Sequence, residues 1–169
     1  MASLARAAVT ANRSYLQSGM QYIDVRNASG TDLRDPTVAQ AELNWRLARK
    51  NVHVAFSNFA SAFYRMMLEP ASRQKHVAEF NNLLIQSHML ASQIAAVMTT
   101  LLSMPKPPES IIQHLRSLLS SFGSLGPNEV LEPLPKEITE HTYPELSYPM
   151  KQLQRSVNAV HQELGAVQA

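Results

Sequence analysis

The chain has no cysteine among its 169 residues. Disulfides, thiolate zinc sites and cysteine nucleophiles are thereby excluded, and a reducing compartment fits the absence. Glycine is scarce at five residues, and aromatics make up only 7%. The alanine, leucine, serine and glutamine that fill their place favour helix. No run approaches the ~18–20 uninterrupted apolar residues that a membrane span needs. The longest candidate, "MLASQIAAVMTTLLSM" (89–104), is broken by Ser92, Gln93, Thr99 and Thr100. The first residues lack the apolar core of a leader, so the chain taken alone is expected to be soluble. A net charge of +2 is too small for a general nucleic-acid binder. Residues 1–106 hold 11 Lys/Arg against 6 Asp/Glu, whereas residues 107–169 hold 4 against 7. The basic first part suits either a membrane surface or the chain's own acidic second part.

What is present is helical periodicity. Val38, Ala41, Trp45, Ala48, Val52, Ala55, Phe59, Ala62 and Met66 recur at alternating steps of three and four, which is a heptad seam. Large residues alternate with alanine, so a partner helix can approach closely at each Ala. Asp35 is a good N-cap, Pro36 fits the first helical position, and Pro70 stops the pattern. Positions 36–69 are therefore expected to form one helix of roughly 50 Å. Val77, Phe80, Leu84, Ser87, Ala91, Ile94, Met98 and Leu101 repeat the spacing over an expected helix 72–103, with Ser72 as its cap. So short a turn makes the two helices an antiparallel hairpin.

A weaker seam at Leu4, Ala8, Ala11, Tyr15, Ser18, Tyr22 and Val25 predicts a helix over 1–28. Ile111, Ile112, Leu115, Leu118, Leu119 and Phe122 predict one over 108–123, ended by Gly123 or Gly126. Leu146, Met150, Leu153, Val157, Val160, Leu164 and Val167 predict a last one over 145–168. Between these lies an acidic, proline-rich stretch, 124–144, read as either a packed cover or a mobile segment. The expected fold is a single all-α domain: an antiparallel bundle of four to five helices built on the 36–69/72–103 hairpin.

Catalytic signatures are missing. There is no Gly-rich phosphate loop, no G-x-S-x-G and no H-E-x-x-H, nor the paired Glu-x-x-His of a di-iron bundle. No enzyme activity, cofactor or metal is expected. The chemistry-bearing cluster is Arg46, Arg49, Lys50 and His53 on one face of the long helix, beside Trp45. It reads either as a solvated stripe or as a cationic surface for a carboxylate, a lipid head group or an acidic segment. His88 lies one position from the Ser87 seam site, where partial burial is expected.

Arg46-Leu47-Ala48-Arg49, then His53, then "SNFASAFYRMMLEP" resembles a segment of the fusaric-acid-resistance-like (FUSC, YccS-type) inner-membrane proteins of Gram-negative bacteria. In that family a helix beginning R-x-A-R-x-x-x-H ends in M-x-x-E-P. Arg46, Arg49, His53, Ser61, Met66 or Met67, Glu69 and Pro70 stand where the pattern asks. "NNLLIQSHMLASQIAAV" is similar to the next family helix, with its Ser-His pair at Ser87-His88. "LARAAVTANRSYL" is similar to the helix leaving the last membrane segment. The clear likeness covers about 40–100; residues from 105 on match nothing in it, and Val52 and Val54 depart from the small or polar neighbours expected around the histidine.

The resemblance implies the cytosolic part of a membrane exporter of aromatic or other organic acids, on the cytoplasmic side of the inner membrane, with an assembly or regulatory role. The implied partners are the membrane part of the same parent protein, a second copy in a homo-oligomer, and an organic-acid ligand; no nucleic acid is implied. Arg46, Arg49, His53, Glu69, Trp45 and His88 are the candidate family-motif, ligand or interface residues. Alternatives are a bundle that senses an aromatic carboxylate between Trp45, methionines and Arg46 or Arg49, and a protein-interaction adaptor using the acidic stretch.

Overall fold

The computed structural model describes residues 1–30, 34–122 and 131–167. These residues are all-helical and contain no strand. The order is α1 (Ala2–Ala28), α2 (Pro36–Met67), a 3-10 turn (Ala71–Arg73), α3 (Val77–Ser103), α4 (Glu109–Ser121), α5 (Lys136–Thr139) and α6 (Pro144–Ala166). Of the expected acidic loop, 124–130 lies outside the described residues, as do Gly123 and Gly126.

The Asp35-Pro36 start of α2 forms as the sequence predicts. The Asp35 carboxylate accepts from the Thr37 amide at 2.8 Å and from its hydroxyl at 2.7 Å. These bonds, the hydroxyl's first, hold its pKa below the ordinary carboxylate value. The other end of the hairpin differs from expectation. Ser72 caps nothing; it sits inside the 3-10 turn, and α3 starts five residues later behind His76. The reason lies at the end of α2, whose last carbonyls need donors. Gln74 supplies them, its Nε2 donating to the Met67 carbonyl at 3.2 Å and the Glu69 carbonyl at 2.7 Å. Reaching back in this way lengthens the connection. His76 then adopts left-handed φ of 55° to start α3, with its ring edge-on to Phe80 at 6.2 Å between centroids.

The α2 seam is used as read: Val38, Ala41, Ala48, Val52, Phe59 and Met66 are buried. Its main partner, however, is α1 rather than α3, and α3 packs chiefly on α6. Helix α1 touches α2, α3, α4 and α6 and is the centre of the bundle. That explains its weak seam. One row faces α2, where Tyr15 and Tyr22 enclose Trp45 at centroid distances of 6.2 and 5.7 Å. A second row, Ala5, Val9, Asn12, Leu16, Met20 and Ile23, is also buried. Close approach of α1 to α3 depends on Gly19, where a Cβ would stand 2.7 Å from Met98 Cε. Asn12 crosses the same interface, donating through Nδ2 to the Ser87 carbonyl at 3.2 Å.

The described part of the acidic stretch is a packed cover. Leu131 and Ile138 are buried, and α6 fastens it through Gln154 Nε2, which donates to the Glu132 carbonyl at 2.8 Å.

Candidate functional site

Three of the candidate residues meet in a crevice between α2 and α3. Arg49 and His53, one turn apart on α2, face His88 on α3, and Tyr15 of α1 forms the floor. Val52, Ala91 and Ala95 make the apolar walls of a cavity of about 160 Å³. The small residues of α3 are what leave it open. Among the described residues the Tyr15 hydroxyl, on a side chain only 1% exposed, has no hydrogen-bond partner. A buried polar group left without a partner costs free energy that a ligand or water would recover. Burial raises the Tyr15 pKa, and the Arg49 charge opposes that rise, so the phenol is a neutral donor at physiological pH.

Arg49 forms no ion pair among the described residues. The His88 ring rests against Phe56 at 5.5 Å between centroids but is exposed, contrary to the partial burial expected of it. The buried neighbour is Ser87, whose position faces α1. Arg49, His53 and His88 are solvent-exposed and Tyr15 is buried, and each of the four lining side chains can donate to a carboxylate or similar oxyanion.

The remaining candidates lie elsewhere. Arg46 is exposed and paired with Glu42 one turn earlier, a surface pair worth at most about 1 kcal/mol. Trp45 belongs to the α1–α2 seam, held between Tyr15 and Tyr22. Glu69 closes the hairpin, its backbone carbonyl taken by Gln74. A broader depression along α2 is lined by Glu42, Trp45, Arg46 and Lys50, and Arg49 and His53 border it as well as the crevice. All its walls belong to one helix, so nothing closes over a ligand there, and the crevice is the better-built site.

A second polar cavity, of about 340 Å³, lies between α4 and the acidic cover, lined by Ser110, His114, Glu132 and Lys136. His114 is 4% exposed and its Nε2 lacks a partner among the described residues. Burial lowers its pKa; the Glu132 carboxylate and the adjacent Gln154 side chain, which forms no well-aligned bond to it, pull the other way. A histidine whose folded pKa is depressed lets the unfolded chain take up the proton first as pH falls. Stability is therefore expected to be full above the ordinary histidine value of about 6.5 and to decline below it. Urea unfolding between pH 8 and 5 should show that decline in the native chain and a flatter profile in His114→Leu. Equal slopes would contradict the assignment.

No group of three His, Asp or Glu among the described residues is placed to hold a metal ion. None of their helices is long and apolar enough to cross a membrane. No family model, curated protein or solved structure matches this chain.

Proposed function

We propose that this chain is a regulatory helical domain that binds small organic carboxylates in the α2–α3 crevice, on the cytosolic side of a membrane exporter of such acids. The observation that carries the reading is the convergence of Arg49, His53, His88 and the unpartnered Tyr15 hydroxyl on one cavity with apolar walls. The cavity is smaller than the ~300–1,000 Å³ of drug-sized sites, so it suits a small acid or the carboxylate end of a larger one. Arg49 supplies the charge, Tyr15 a neutral donor from below, and Val52 with the alanines a surface for a ring or short chain. The resemblance to fusaric-acid-resistance-like proteins supplies the membrane context. Regulation follows from position: a ligand bridging α2 and α3 stiffens the hairpin against α1.

The test is thermal unfolding with benzoate and related acids up to millimolar concentration. A ligand that binds only the folded state raises stability by RT ln(1 + [L]/Kd), so Tm should climb with concentration. Arg49→Gln should weaken binding by about 10- to 100-fold, the worth of a hydrogen bond to a charged group. Arg46→Gln should leave it unchanged. An unmoved Tm with every acid, or equal shifts in Arg49→Gln, would contradict the proposal. A second reading, protomer assembly, is favoured by one separate observation: α2 exposes several large apolar side chains on its solvent side.

A further inference from the structure

On the side of α2 opposite its buried seam, Leu43, Leu47, Val54, Tyr64 and Leu68 are exposed. With Lys50, Ser57 and Ser61 they complete an unbroken alternation of four and three: 43, 47, 50, 54, 57, 61, 64, 68. This is a second heptad row along most of the helix. Five exposed apolar side chains in one row, with Lys50, Ser57 and Ser61 between them, mark an interaction surface on a solvent-facing helix.

The order of residues along the row identifies its partner. In a parallel pair of two such helices each position faces itself, which places Lys50 against Lys50 in the centre. In an antiparallel pair centred between Ala55 and Phe56, every position of the row faces another position of the row. Leu43 meets Leu68 of the second copy, Leu47 meets Tyr64, Lys50 meets Ser61 and Val54 meets Ser57. Both ends match apolar to apolar, and the lone charge meets a hydroxyl. The flanks agree: Arg46 faces Met67, His53 faces Ala60, Asn44 faces Arg65 and Asn51 faces Asn58. No like charges oppose one another in this register. We propose that the outer face of α2 is a homodimer interface in which two copies pair antiparallel. The proposal stands on this row alone and does not depend on carboxylate binding.

The absence of cysteine makes the test clean, since introduced thiols have no competitors. Under mild oxidation the double variant Leu47→Cys/Tyr64→Cys should form a covalent dimer in the full chain. Leu47→Cys alone should not, because the two copies of that position lie about 25 Å apart along the pair, beyond disulfide reach. Ile85→Cys, an exposed apolar position on α3, serves as control and should remain monomeric. Native chain on light scattering should show a mass that rises toward the dimer with concentration, and Leu47→Glu/Leu68→Glu should abolish that rise with unchanged helicity. Cross-linking of Leu47→Cys alone would replace the antiparallel pair with a parallel one and overturn the proposal. A monomer at every concentration, without cross-linking of the double variant, would overturn it as well. If that monomer also sedimented with anionic vesicles, the face would belong to a membrane surface.

Discussion

Phe59→Ala is expected to destabilise the fold by about 3–5 kcal/mol, the range for truncating a large buried aromatic. Phe59 is fully buried on the α2 seam and meets the Phe80 edge at 6.2 Å with the rings 80° apart. It therefore ties α2 to α3, although α1 is the chief partner of α2. The loss has two parts, the transfer free energy of the ring and the void left where stiff helices cannot close in. Urea unfolding measures it as a fall in midpoint with little change in slope. Tyr148→Ala, at a largely exposed ring on α6, should stay within about 0.5 kcal/mol. A Phe59→Ala loss as small as that would mean that α2 and α3 are not held together as described.

Asn12→Asp should cost a similar amount, about 3–5 kcal/mol at neutral pH, without changing side-chain volume. Asn12 is 1% exposed, and its Nδ2 donates to the carbonyls of Ala8 at 3.1 Å and Ser87 at 3.2 Å. A carboxylate in that place brings a charge with no cation beside it and oxygens facing oxygens. Its folded pKa is accordingly raised above the ordinary aspartate value. A carboxyl with a raised folded pKa destabilises the fold above that pKa, and the penalty fades as pH falls toward the unfolded value. The penalty of the new carboxyl should thus fade between neutral and mildly acidic pH, on top of the loss that both proteins undergo through His114. Because the variant keeps His114, the readout is the stability difference between the two proteins: it should shrink as pH falls, and a difference that stays constant would show that Asn12 reaches water.

The α2 seam and its Asp35-Pro36 start were legible because both are local: a heptad spacing and a cap fix themselves from neighbouring residues. Ser72 was misleading because the donor that α2's last carbonyls use is Gln74, a preference set by the end of one helix and not by the start of the next. Helix α1 was read on one face only, since Asn12 and Gly19 interrupt the apolar pattern of its second face. Both are there for helix contact, one bridging to α3 and one making room for Met98. Arg46 and Arg49 are equivalent at i, i+3 in the sequence, but Glu42 pairs with Arg46, and only Arg49 also lines the crevice. Tyr15 could not have been assigned to the site from sequence, because only the packing of α1 beneath α2 and α3 brings it there. The outer row of α2 is the weaker pattern in the sequence because Lys50, Ser57 and Ser61 interrupt it, whereas the buried seam is apolar throughout.

The central claim is that the α2–α3 crevice takes a carboxylate, and an NMR titration of the isotope-labelled chain with benzoate tests it most directly. Saturable shifts at Tyr15, Arg49, His53 and His88, with the signals around His114 unmoved, are the expected result. Absence of any saturable shift, or shifts centred on His114 and the acidic cover instead, would contradict the account.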